Sequence, residues 1–251
     1  MKKIFFILFS ATFLLTGCLE TTQEITINDD GSGTIVSTSD FSALLGLAKQ
    51  MGGAGELEKA GDMVKDTVIS MQQGADSIPN LTAEEKEMLR KGSLRVNMNM
   101  KEEKFLTSLT IPFSNAADIA KVNKLANKAL GETMKEQMSG GSPLGGDQQM
   151  PEASSFDDYY KFEFSNGELT KKLDKDKYAG AESDEYLKGM KEATSMGLSM
   201  KATYIINLPR PAEKAEGKGV KLSEDKKKVT ITADLDDFFS NPEKLEYKIK
   251  Y

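Results

Sequence analysis

Two periods of apolar residues take turns along this chain. In Leu94–Met100 the apolar Leu94, Val96, Met98 and Met100 alternate with Arg95, Asn97 and Asn99, the two-residue period of a half-buried strand. Lys101–Lys104 (KEEK) is a polar turn, after which Phe105, Thr107, Leu109, Ile111 and Phe113 predict the returning strand. Ile119, Val122, Leu125, Ala126, Ala129 and Met134 then follow at the three- and four-residue spacing of one helix face. A hairpin followed by a helix is therefore the unit to look for elsewhere.

It recurs on both sides. Glu24–Asn28 alternates, Asp29-Asp30-Gly31-Ser32-Gly33 turns, and Thr34–Ser37 returns. Phe41, Leu44, Leu45, Ala48 and Met51 predict the helix that follows, with Ser39 or Asp40 as N-cap and Gly52 as stop. A second helix is expected over Glu56–Gln73, with Ala60, Met63, Val64, Val68 and Met71 on one face, and a short one over Thr82–Leu89. In the third unit Tyr160, Phe162 and Phe164 alternate, Asn166-Gly167 forms the turn, and Leu169–Leu173 returns. A helix starting at Ser183 carries Tyr186, Leu187, Met190 and Ala193 and stops at Gly197. The tail reads as strands: Met200 to Leu208; Val220 and Leu222 against Val229, Ile231 and Ala233 across Ser223–Lys227; and Leu245 to Tyr251.

Strict alternation predicts antiparallel strands with one wet face, the other covered by helices. The fold class is therefore α+β, an antiparallel sheet built from β-hairpins alternating with amphipathic helices on one face, with an all-β C-terminal tail. About nine strands are expected, enough for one twisted sheet or two smaller ones. Residues 139–153 (SGGSPLGGDQQMPEA) lack periodicity and mark a division within the mature domain, 18–251.

The first residues are different in kind. Met1-Lys2-Lys3 is a small basic flank, and the apolar run Ile4–Leu15 is too short to span a bilayer, the pattern of an export leader. It ends in Leu15-Thr16-Gly17-Cys18, which resembles a bacterial lipobox. The resemblance implies removal of residues 1–17 as a signal peptide and attachment of acyl chains, palmitate among them, to Cys18. Two or more chains anchor stably where one does not. Leu19-Glu20-Thr21-Thr22-Gln23 would act as a polar spacer. In this family an Asp directly after the cysteine marks inner-membrane retention, so Leu19 and Glu20 favour the outer membrane in a Gram-negative host.

Charge and composition narrow the chemistry. The 251-residue chain has a formal charge of −6, and losing Lys2 and Lys3 makes it more acidic still, which argues against nucleic-acid binding. Cys18 is its one cysteine, so the exported domain is expected to stand without disulfides. With no histidine and no free thiol, zinc is disfavoured. Asn28–Gly33 faintly resembles a calcium loop. However, Asp40 stands where such a loop needs its distal Glu, and Thr34–Ser37 reads as strand, so a hairpin turn is expected. Asp174, Asp176, Asp234, Asp236 and Asp237 read as turns and caps, and Lys226–Lys228 as a solvated turn. No histidine can activate a serine and no Gly-x-Ser-x-Gly elbow or phosphate-binding glycine loop is present. No catalytic, cofactor or metal residue is assigned.

The two ends carry a further resemblance. Tyr204-Ile205-Ile206-Asn207-Leu208-Pro209, Gly217–Lys228 and Val229-Thr230-Ile231 resemble the closing strands of bacterial lipoprotein domains of the LppM type, as does the Asp29–Gly33 hairpin. The chain departs from them at Arg210, where a glycine is usual, and in having no tryptophan after Thr230. The resemblance implies an envelope role. The expectation is a non-enzymatic, lipid-anchored envelope protein binding an envelope protein, lipid or glycan. The alternative is an envelope hydrolase with an Asp/Glu or Ser–Lys site.

Overall fold

The structure is a computed structural model and describes residues 17–48, 63–79, 81–139, 155–165, 167–195 and 198–251. Among these residues twelve strands form two sheets. The fold is α+β, and most strand pairs are antiparallel.

The first hairpin joins β1 (Gly17–Ile27) to β2 (Gly33–Asp40), with Ile25 opposite Ile35. Its turn needs glycine: a Cβ on Gly33 would meet the Thr26 carbonyl at 1.9 Å and the Phe113 ring at 2.5 Å. Helix α1 (Ser42–Ala48) follows; its N-cap position is Phe41, not Ser39 or Asp40, and the Asp40 carboxylate at the end of β2 accepts from the Ser42 N–H. Strands β4 (Ser93–Asn99) and β5 (Lys104–Phe113) form the second hairpin, and β5 pairs with β2.

Region 56–73 departs from expectation. Val64–Ser70 is a strand, β3, paired with β4 along its whole length, and among the described residues of this region only Met71–Gly74 (α2) is helical. The apolar spacing fits a helix, but Val64, Thr67, Val68 and Ile69 are β-branched, and β4 offers them an open edge. Residues 49–62 lie outside the described residues. Thr82 caps α3 (Ala83–Arg90) with a capping box closed by Glu85.

Helix α4 (Ile119–Ser139) packs Ile119, Val122, Leu125, Ala126 and Ala129 into the core, against β2, β5 and a strand of the second sheet, β6 (Tyr160–Ser165). The rest of the region read as a division, 140–153, lies outside the described residues. β6 pairs with β7 (Glu168–Leu173) through a turn at Gly167, φ +72°. A one-turn helix α5 (Lys175–Tyr178) follows, capped by Asp174. Helix α6 (Glu185–Ser195) begins two residues later than Ser183, because the Asp184 carboxylate accepts from the Leu187 N–H.

Strand β8 (Leu198–Asn207) runs parallel to β1, with Tyr204 beside Gln23. This pairing is not an antiparallel one, and it puts Leu19–Gln23 inside the central strand. The expected spacer is structure, with Leu19 buried. Short β9 (Lys214–Glu216) joins the small sheet, while β10 (Val220–Leu222) and β11 (Lys228–Asp234) pair as read, Val220 with Ile231 and Leu222 with Val229. The tail's strands are interrupted by α7 (Leu235–Ser240), capped by Asp234, and by a 3-10 turn at Pro242–Leu245, before β12 (Tyr247–Lys250) closes the small sheet. The large sheet has the order β10-β11-β8-β1-β2-β5-β4-β3 and the small one β6-β7-β12-β9. One cluster of buried side chains draws on both.

Candidate functional site

The inner face of the large sheet changes character along its central strands. Every second residue of β1 points inward: Leu19, Thr21, Gln23, Ile25 and Ile27. On β2 the inward set is Ile35, Ser37 and Ser39, and on β8 it is Met200, Ala202, Tyr204 and Ile206. One half is therefore isoleucine-rich. The half nearer Cys18 places Gln23, Ser37 and Ser39 in the buried interior.

The small sheet answers this polar half with a lysine. Lys171 stands on β7 at the inward parity of Leu169 and Leu173, and its side chain is only 2% exposed. Its ammonium pairs with the Asp157 carboxylate, itself 8% exposed. The Nζ also lies 3.9 Å from the Tyr204 ring centroid and 4.8 Å from that of Tyr160, two cation–π contacts from opposite sheets. Asp157 is held by a 3-10 turn, Phe156–Tyr159, that Ser155 and Asp158 cap reciprocally. Its second carboxylate oxygen accepts from the Asn123 amide at 2.9 Å, and the Asn123 amide oxygen accepts from Gln23 Nε2. The Tyr204 hydroxyl also hydrogen-bonds Asp157. A chain of polar groups thus ties β1, α4, the 156–159 turn and β7 together.

Burial opposes charge on both partners of the pair. For Asp157 it is outweighed by the Lys171 ammonium and by hydrogen bonds from Lys171, Asn123 and Tyr204, which hold the carboxyl below its ordinary range. Burial pulls the Lys171 ammonium down, and Asp157 counteracts that pull. The carboxylate is the firmer charge because it has more hydrogen-bond donors. Burial and the neighbouring Asp157 also push the Tyr204 hydroxyl well up, so it remains a neutral donor.

Beside this network lies a cavity of about 130 Å³. Its floor is β1, β2 and β8, and its walls are α4, α6 and the turn carrying Asp157. A water takes about 30 Å³ of liquid volume, so the space suits several waters or one small molecule. Thr21, Ser37, Ser39 and Asn127 offer hydroxyl or amide groups to it, and Tyr186 and Phe156 offer rings. Two of the lining residues each have a buried atom, Ser37 Oγ and Asn127 Nδ2, that finds no hydrogen-bond partner among the described residues. The one carboxylate in the lining, Asp157, is neutralised by Lys171. The cavity can thus bind an uncharged group that accepts hydrogen bonds and has a face to lay on a ring.

The residues singled out from sequence are placed elsewhere. Leu15 and Thr16 lie outside the described residues; the Cys18 backbone pairs with Ser199 at the start of the β1–β8 ladder. Asp29–Gly33 is a hairpin turn in which the Asp30 carboxylate accepts from Ser32, and Asp40 sits at the far end of β2. No group of three or more acidic, histidine or cysteine side chains could hold a metal ion among the described residues. Asp174 and Asp234 are helix caps, and Lys226 lies in a turn at φ +56°. Sequence reasoning missed Gln23, Ser37, Asn123, Asp157, Lys171 and Tyr204. A signal existed, in Gln23, Ser37 and Lys171 at parities their own strands give to apolar residues.

No family model matches the chain, and no curated protein matches it. Among solved structures the chain is similar to the NMR structure of the folded domain of the Mycobacterium tuberculosis LppM protein. The two are 10% identical, with 93% of this chain and 90% of that chain covered and a TM-score of 0.37. No described helix is long and apolar enough to cross a membrane.

Proposed function

We propose that the protein is a lipid-anchored envelope protein, acylated on Cys18, that binds an uncharged lipid headgroup or glycan unit in the inner-face cavity and catalyses no reaction. The observation that carries the binding reading is the cavity itself, whose lining sets the polar side chains of Thr21, Ser37, Ser39 and Asn127 beside the rings of Tyr186 and Phe156. A concave site with a few polar groups among rings is the usual form of a ligand pocket. Two features favour binding over a Ser–Lys hydrolase. Such an enzyme needs a free amine beside its serine. The lysine at this site is instead bound to a carboxylate and enclosed by two rings.

The anchor reading rests on the lipobox, and in a Gram-negative host Leu19 and Glu20 favour the outer membrane, facing the periplasm. The acidic chain is not a nucleic-acid binder. Labelling with a clickable fatty acid tests the anchor: wild type takes up label and Cys18→Ala does not, and equal labelling refutes it. Native mass spectrometry of protein extracted from its own membranes tests the cavity. A non-covalent mass carried by wild type and lost in Asn127→Leu is expected. The same mass on both, or on neither, overturns the binding reading.

A further inference from the structure

We infer that Lys171 sets the charge of what the inner-face cavity accepts, so that a neutral polyol unit enters and an ammonium-bearing one is excluded. An amino sugar and an ethanolamine headgroup share that excluded chemistry. The inference rests on the cavity being a ligand site, and deepens that reading.

It begins from the one carboxylate in the lining. Asp157 stands in the cavity wall, and no other acidic or basic side chain lines the space. A buried carboxylate left alone is a strong site for a small cation, because opposite charges attract far more strongly in a protein interior than in water. What the wall presents therefore depends on whether Asp157 is already compensated.

Lys171 compensates it from outside the cavity. The lysine is not among the lining residues; it comes from β7, and its ammonium pairs with Asp157 Oδ1. The Tyr204 and Tyr160 rings hold that ammonium, with centroids 3.9 and 4.8 Å away. Tyr204 belongs to both settings, since it also lines the cavity. With the pair intact the wall has no net charge. An entering cation would lose its hydration and meet a carboxylate whose charge is already matched, with a second ammonium beside it. An entering anion would meet the carboxylate itself.

The carboxylate has a second task. Asp157 Oδ2 accepts from Asn123 Nδ2 at 2.9 Å, and Asn123 is buried on α4. Asn127, which lines the cavity, stands one helical turn further on the same face of α4. Asp157 thus holds the polar stripe of α4 against the cavity. Without the carboxylate the stripe loses its acceptor, and without Lys171 the wall becomes charged. The pair supplies the hydrogen bond and cancels the charge. Stability alone does not account for it, because well-packed apolar residues of similar volume are often as stable as a buried ion pair. Lys171 acts through Asp157, as a positioning residue.

Ethylene glycol and ethanolammonium test this, being nearly equal in size and differing by one charge. The readout is the methyl resonance of Met200, which lines the cavity, in isotope-labelled protein. In wild type the glycol is expected to move it, and ethanolammonium chloride, against equal potassium chloride, is not. In Lys171→Met the preference for ethanolammonium over glycol is expected to rise by about tenfold to a thousandfold, the range over which one nearby opposite charge shifts the ionisation of a carboxyl. Asp157→Leu combined with Lys171→Met should lose that gain. Lys171→Arg should not show it, because the guanidinium keeps the charge. A lysine that only stabilised the fold would leave the preference unmoved. Equal responses of wild type to the two probes overturn the inference, and that outcome needs no variant to fold. An unchanged preference in Lys171→Met, or a gain that persists in the double variant, overturns it as well. If neither probe moves the resonance in wild type, the binding reading falls and the inference with it.

Discussion

Two ion pairs on opposite sides of the large sheet pose the same chemistry in different surroundings. Lys171–Asp157 is sealed between the sheets, with side chains 2% and 8% exposed. Arg95–Asp66 joins β4 to the edge strand with a better fork, two N–H donors at 2.9 and 2.7 Å, but its side chains are 56% and 47% exposed. Geometry alone would rank the edge pair higher. Surroundings reverse that order, because water and salt screen the exposed pair while the buried one has only its partners.

The contrast can be broken at several strengths. The largest effect is expected from Asp157→Asn, which strands a buried ammonium; urea melts at pH 7 should show a loss of about 3–5 kcal/mol. Replacing both partners, Asp157→Leu with Lys171→Met, should recover most of that loss, since an apolar pair of similar volume costs little. If the double variant is no better than the single one, the network, not the charge, is what matters.

Acid sharpens the same point. The folded protein holds Asp157 below the ordinary carboxylate range of about 3.9. Its stabilisation is therefore complete above that value and is lost as pH falls through the lowered folded pKa. Melts across pH 2 to 5 should show a flatter acid limb in the double variant than in wild type. Ser37→Ala should change stability by less than about 1 kcal/mol, because its hydroxyl has no partner to lose. Arg95→Ala should leave the melting midpoint unchanged at high salt, the smallest effect of all.

What could be read from sequence depended on distance along the chain. The β4–β5, β6–β7 and β10–β11 hairpins were legible because turn and alternation lie within a few residues of each other. The β1–β8 pairing was not, since nothing local to Thr21 names Ala202 as its neighbour. β3 misled because Val64, Val68 and Met71 satisfy a helical spacing as well as a strand, and only the open edge of β4 decides between them. The site failed for a related reason. Lys171 is an ordinary polar residue by composition, and only its shared parity with Leu169 and Leu173 marks it as buried. Its partner Asp157 lies in a turn whose direction no periodicity announces.

The parallel β1–β8 ladder has a consequence for the order in which the chain can fold. β1 is the first described strand to emerge during synthesis, and one of its two neighbours, residues 198–207, comes near the end. Through most of synthesis the strand has one edge unpaired, when open edges are most prone to pair wrongly. Sheet closure waits on a contact of very long sequence separation, which slows folding. The polar residues Thr21, Gln23 and Thr26 along β1 make that wait safer than a run of isoleucines would.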